Sequence, residues 1–244
     1  MHDDFFVIWR DADGGAQRGW LRGVVVALAV AAVGLAAVLV LLQGTVAEDA
    51  RFEFGTTREY TGVLVGDPVP LLVTTGQTFF LVNPFKYEFD PEVQARLDGQ
   101  SVRLTATLIE RGERAMLEVV EGTVEPADPV DAGLPERVPL GAATISGEIV
   151  DSKCYLGVMN PGHLKPHRAC AINCLRGGIP PVLLSRDDSG ATVQTVLVSG
   201  DAQPLRDWVL EFVAEPVEVR GELAQLGDLR LMTVTPGSVT RRTR

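Results

Sequence analysis

All three cysteines of this 244-residue chain, Cys154, Cys170 and Cys174, lie between positions 154 and 174, together with two of its three histidines, His163 and His167. Thiolate sulfur and imidazole nitrogen are the donors that borderline and soft ions prefer, so the grouping points to zinc or copper. Met159 could add a thioether. Pro166 suits the first turn of a helix, and Gly177-Gly178 followed by Pro180-Pro181 would end it. On that helix His167, Cys170 and Cys174 fall at i, i+3 and i+7, which is one face. Cys154 sits just beyond a strand, and His163 lies in the loop before the helix. A ligand set of Cys154, Cys170, Cys174 and one histidine follows, with the choice of histidine open. The stretch lacks the C-x2-C pair of a zinc knuckle and the C-x-x-C-H sequence of c-type haem attachment. A second use is a staple. In an oxidising compartment a disulfide from Cys154 to Cys170 or Cys174 would tie the helix to its domain and leave one free thiol.

The elements that must position these residues read as two copies of one plan. In residues 58–122, short β-type runs at 60–65, 71–74 and 78–82 precede a helix signal and two further strands, 102–109 and 115–120. That signal is Asp90-Pro91-Glu92, an N-cap followed by proline at the first helical position, with Gly99 to stop the helix. The second copy repeats the order with strands at 146–150, 181–184 and 191–198. A helix follows at 204–213, with Trp208 and Phe212 on one face, then strands at 217–223 and 229–234. Gly112 and Gly227 differ by 115, as do Gly122 and Gly237, Leu104 and Val219, and Leu108 and Leu223. At the first strand the offset is 85 (Gly62 to Gly147), and at Pro70 to Pro181 it is 111. The second copy therefore carries 111 − 85 = 26 extra residues between its first two strands, and the cysteines and two histidines lie in or beside them.

The strand order β-β-β-α-β-β resembles the oligonucleotide/oligosaccharide-binding (OB) fold, which implies a five-stranded Greek-key barrel for each copy. The expected fold is mainly β: a transmembrane helix, then two OB-like five-stranded barrels, each with a short helix. The expected parts are a cytoplasmic tail (1–23), a membrane span (24–42), a first barrel (52–125) and a proline-rich linker (126–140). A second barrel (141–238) with its insertion (152–178) and a basic tail (239–244) complete the chain. An N-terminal anchor before an OB-like barrel also resembles the haem chaperone of cytochrome c maturation. That family binds haem through a histidine followed by a tyrosine near the C-terminus, and neither stands there in this chain. The block Asp151-Ser152-Lys153-Cys154-Tyr155, His167-Arg168-Ala169-Cys170-Ala171, Gly177-Gly178-Ile179-Pro180-Pro181 is similar to one in uncharacterised bacterial membrane proteins, which implies no activity.

Residues 24–42 contain no charge and no proline. At about 1.5 Å per residue they match a hydrocarbon core about 30 Å thick. Trp20 stands at an interfacial position, and Arg10, Arg18 and Arg22 before the span outnumber Arg51 and Arg58 after it. That bias predicts a cytoplasmic N-terminus and an extracytoplasmic body at the inner membrane. Thr45-Val46-Ala47 would suit a signal peptidase, but the apolar run exceeds the roughly 7–15 residues of a signal peptide, so an uncleaved anchor is expected. The net charge of −10 disfavours nucleic-acid binding. No nucleophile elbow, phosphate-binding glycine loop or H-E-x-x-H helix occurs, so enzymatic activity is not the expectation. The expected role is a metal-binding or redox accessory protein beside a membrane protein partner. The alternative is an interaction module with a disulfide-stapled recognition loop.

Overall fold

A computed structural model describes residues 15–44, 50–200 and 204–242. The chain forms two compact units, Met1–Glu48 and Asp49–Arg244. In the first, helix α1 (Gly15–Gly44) contains the stretch Gly19–Leu41, which is long and apolar enough to cross a membrane. None of the side chains of Gly19–Leu41 is buried by protein. The helix starts earlier than the expected span and includes residues 15–23 of the expected tail. Most of the expected tail (1–14) and the tripeptide Thr45-Val46-Ala47 lie outside the described residues.

The second unit is mainly β and holds two OB-like barrels. The first uses β2 (Arg58–Val65), β3 (Leu71–Val73), β4 (Thr78–Val82), β5 (Ser101–Arg111) and β6 (Arg114–Val119), with β1 (Ala50–Phe52) and β7 (Glu125–Pro126) added beside β5. The second uses β8 (Arg137–Asp151), β9 (Pro181–Arg186), β10 (Thr192–Ser199), β11 (Pro216–Leu226) and β12 (Leu229–Val234), with β13 (Val239–Arg241) beside β11. Pairing runs β2-β3-β4-β6-β5 and back to β2, and likewise β8-β9-β10-β12-β11 and back to β8. In each circuit the third and fifth strands are parallel and all other neighbours antiparallel.

The two registers agree with the sequence offsets at the first, second, fourth and fifth strands, and the third strands are offset by 116. Gly62 faces Val102, and Gly147 faces Val217; Tyr60 faces Leu104, and Ile145 faces Val219. Phe80 pairs with Leu71 and Met116, as Val196 pairs with Val182 and Leu231. The shared glycine has a steric cause. A Cβ on Gly62 would lie 2.5 Å from the Val73 carbonyl oxygen, and one on Gly147 would lie 2.2 Å from that of Leu184. Those two carbonyls are themselves 111 residues apart.

Each barrel has its own core, one around Leu64, Leu72, Leu81 and Leu117, the other around Ile149, Leu183, Val219 and Met232. A third buried cluster joins Leu71, Phe80, Val82 and Met116 of the first barrel to Val182, Val196, Val198 and Leu231 of the second. These are repeat-equivalent residues, so each barrel offers the same face to the other. Strands β3 and β4 are therefore covered on both sides, which is why Leu71-Leu72-Val73 and Phe79-Phe80-Leu81-Val82 are continuous apolar runs instead of alternating ones.

Helix α2 (Pro91–Leu97) forms as its signals predict, with the Asp90 side chain accepting from the Glu92 and Val93 amides. The helix expected at 204–213 does not form. Two 3-10 turns, Leu205–Asp207 and Val209–Phe212, stand there, broken at Trp208, whose φ of −129° is not helical. Packing of Leu205, Trp208, Leu210 and Phe212 against the second core outweighs their weak helical periodicity. Strand β8 begins at Arg137, inside the stretch expected as linker, because residues 137–139 pair with β11. Part of the expected basic tail is also ordered: Val239–Arg241 pairs with β11, and the Arg241 guanidinium stacks 5.0 Å from the Phe212 ring centroid.

Candidate thiol and metal centre

Strand β8 ends at Asp151, and the insertion begins there with a helical turn, Cys154–Val158, followed by helix α3 (Leu164–Arg176). The Asp151 side chain starts the turn by accepting the Cys154 amide at 2.8 Å through Oδ1. Its Oδ2 lies 2.9 Å from His167 Nε2, so one fully buried carboxylate orients both the cysteine backbone and the imidazole. Helix α3 turns His167, Cys170 and Cys174 inward, with His167 and Cys174 buried and Cys170 partly accessible.

The three sulfurs meet. Cys154 Sγ lies 3.9 Å from Cys170 Sγ and 3.8 Å from Cys174 Sγ, and all three lie within 4.8 Å of one another. All are free thiols. Either disulfide foreseen from the sequence would require its sulfurs to close to about 2.05 Å. Asp151, Cys154 and His167 form a second group of donors within 4.8 Å, so Cys154 belongs to both. His163 stands apart as the N-cap residue of α3, its ring 6.1 Å from that of Tyr155. Met159 is exposed. His163 belongs to neither donor group.

Two residues of this centre carried no signal in the sequence reading. Asp151 was visible beside Cys154 but had no assigned partner. Lys86 comes from the first barrel, in the loop after β4, and its Nζ donates to Cys170 Sγ at 2.8 Å and Cys174 Sγ at 3.4 Å. Nothing in a one-dimensional pattern links positions 84 and 88 residues apart. The loop is held from both sides. Lys153, itself buried, donates to the Asn83 and Phe85 carbonyls at 2.9 and 2.8 Å and pairs with Glu118 at 2.5 Å. The Glu88 amide donates to the Gly177 carbonyl at 2.7 Å.

The charges of the centre are interdependent. Hydrogen bonding to Cys174, burial and the Asp151 charge push the Cys154 thiol well above its usual range. Cys174 is held below the usual thiol range by the hydrogen bond from Cys154, against burial and Asp151, with Lys86 assisting. Burial alone would lower the Lys86 ammonium, but its hydrogen bond to Cys170 and the charge of both sulfurs raise it. These directions have Cys154 donating to Cys174, with the Lys86 ammonium donating to Cys170 and Cys174.

At the outer edge, burial raises the Glu148 carboxyl, opposed by the Leu164 amide it accepts at 2.5 Å and by the charges of His163 and His167. A carboxyl raised on folding contributes stability that is present at low pH and lost as pH climbs through its folded value. Glu148→Gln keeps an acceptor for Leu164 and removes the buried charge. It should raise the thermal midpoint at neutral pH, and the gain should vanish near about pH 3, below the unfolded value, where both states are protonated. A gain equal at both pH values would contradict this.

No protein-family model, no curated protein and no solved structure matches the chain.

Proposed function

We propose that this is a membrane-tethered, extracytoplasmic protein whose second barrel holds a metal ion on Cys154, Cys170 and Cys174, as an accessory to a membrane assembly. The observation that carries the reading is the sulfur spacing. A metal–sulfur bond of about 2.3 Å sets sulfur–sulfur edges of about 3.8 Å in a tetrahedral site and about 4.0 Å in a trigonal one. Two of the three edges, at 3.8 and 3.9 Å, fall in that interval, and the third is within 4.8 Å. The donor chemistry suits zinc or copper(I). His167 is the candidate fourth ligand: Asp151 takes its Nε2, the usual way of fixing a ligating ring, and leaves Nδ1 open. The Lys86 ammonium would offset the negative charge of a tris-thiolate centre. The helix α1 supports the tether, and the arginine bias before it supports a body outside the cytoplasm. The repeat-equivalent faces and matching registers support an ancestral duplication of one OB-like barrel, with the insertion added to one copy.

The full chain, purified in detergent under anaerobic reducing conditions and offered zinc or copper(I), should retain about one metal equivalent after desalting. Cys154→Ser, Cys170→Ser and Cys174→Ser should each abolish retention. His167→Ala should weaken it about 10–100-fold, and His163→Ala should leave it unchanged. A wild-type chain that retains nothing, or a Cys154→Ser chain that binds as wild type does, would overturn the assignment.

A further inference from the structure

The charge of Lys86 suits a tris-thiolate metal centre, but that role does not require an ammonium in contact with the Cys170 sulfur. At 2.8 Å, Lys86 Nζ and Cys170 Sγ stand at an N···O hydrogen-bond distance, although the larger sulfur atom ordinarily sets N–H···S contacts several tenths of an ångström longer. An oxygen atom bonded to both nitrogen and sulfur holds them at about this separation. The pair is also fixed on both sides. Lys153 ties down the Phe85 carbonyl next to Lys86. On the other side, Gly177 lies so close to the loop that a Cβ on it would be 1.7 Å from the Lys86 carbonyl oxygen. Holding two reacting groups at contact distance removes most of the entropic barrier to joining them. Cys170 is the accessible member of the three thiols, so a small oxidant reaches it first.

We propose that Lys86 and Cys170 are a covalent modification site, at which dioxygen closes a lysine–cysteine N–O–S bridge between the two barrels. The step balances with one dioxygen: the thiolate and the ammonium group lose their electrons to it, and sulfur–oxygen and oxygen–nitrogen bonds form. The second oxygen atom leaves as water with the remaining protons. Sulfur and nitrogen are oxidised and dioxygen is reduced. Two equivalents of a dithiol reverse the step: together they supply four electrons and four protons, become two disulfides, and restore the thiol and the amine as the bridging oxygen leaves as water. Closing the bridge consumes the sulfur of Cys170 and ties residues 84 apart, so oxidation would both lock the seam and withdraw one of the proposed metal ligands.

The test is intact-mass and peptide mass spectrometry of the full chain in detergent, stripped of metal with a chelator and then exposed to air. The expected product is about 14 Da heavier, one oxygen gained and two hydrogens lost, with a cross-linked peptide joining Lys86 to Cys170. Dithiothreitol should return the original mass. Lys86→Arg and Cys170→Ser should both abolish the product, whereas Cys174→Ser should retain it. A chain that shows an internal disulfide, oxygenated cysteine without a cross-link, or no change would overturn the proposal. Metal retention is measured anaerobically, so failure of metal binding leaves the bridge standing, and the reverse also holds. Where both are right, the bridged chain retains no metal until it is reduced.

Discussion

Gly177→Ala is expected to be among the most damaging single-methyl additions in the protein, lowering stability by about 3 kcal/mol, the upper end for overpacking. The backbone at Gly177 is ordinary, with φ −76°, so alanine meets no conformational objection there. The objection is contact: its Cβ would stand 1.7 Å from the Lys86 carbonyl oxygen, a backbone atom that cannot swing aside. The loop that carries this oxygen is held by Lys153 at Asn83 and Phe85 and by the Glu88 amide on Gly177 itself. Relief requires the two barrels to part along this edge, which takes Lys86 away from Cys170 and Cys174. Thermal unfolding should show a midpoint about 6–12 °C lower, and thiol labelling of Cys170 in the folded chain should accelerate. Gly76→Ala, where an added Cβ meets nothing within 4 Å, is the control and should change stability by less than about 0.5 kcal/mol. Equal midpoints for the two variants would contradict the reading.

The same seam marks the boundary of what the sequence discloses. For strand pairing within each barrel the pattern was sufficient: offsets of 85 and 115 reappear as Gly62 and Gly147 facing Val102 and Val217, and the offset of 111 as Leu71 and Val182 at matching positions, facing Phe80 and Val196. Strand pairing is periodic and glycine placement is steric, so both leave a trace along the chain. The clustering of three cysteines and His167 was legible for a similar reason, since a 13-residue helix carries three of the four on one face. What lies across the seam left no trace. Lys86 and Lys153 are two of many charged residues in the sequence, and only packing tells which are buried. The choice between the histidines was also hidden. His167 stands in a donor group with Asp151 and Cys154, 2.9 Å from the Asp151 carboxylate, whereas His163 is the N-cap residue of α3. The missing helix at 204–213 is the converse case. There Trp208 and Phe212 follow the core instead of their own periodicity, because burying large side chains is worth more than one marginal helical turn.

Lys153→Met should cost about 3–5 kcal/mol, the penalty for removing one partner of a buried ion pair. The Lys153 side chain is 2% exposed, and its ammonium finds three acceptors: the Asn83 and Phe85 carbonyls and Glu118, itself only 18% exposed. Methionine fills similar volume, so the loss is electrostatic and not a cavity. It strands a half-buried carboxylate on β6 and two carbonyls of the first barrel's loop. It also frees Phe85, held at φ 62°, a left-handed conformation that a non-glycine residue keeps only when its surroundings impose it. Because Phe85 precedes Lys86, relaxation of that residue moves the ammonium off the sulfurs. Loss of stability should therefore come with loss of the cross-barrel N–O–S product, and the Cys174 thiol should move up toward its ordinary range as Lys86 leaves it. The partner variant separates charge from packing: Lys153→Met combined with Glu118→Leu removes the stranded carboxylate and should recover a substantial part of the stability while leaving the loop unclamped. A double variant no more stable than Lys153→Met would place the cost in the carbonyls alone. A single variant as stable as wild type would mean that Lys153 does not hold the barrels together.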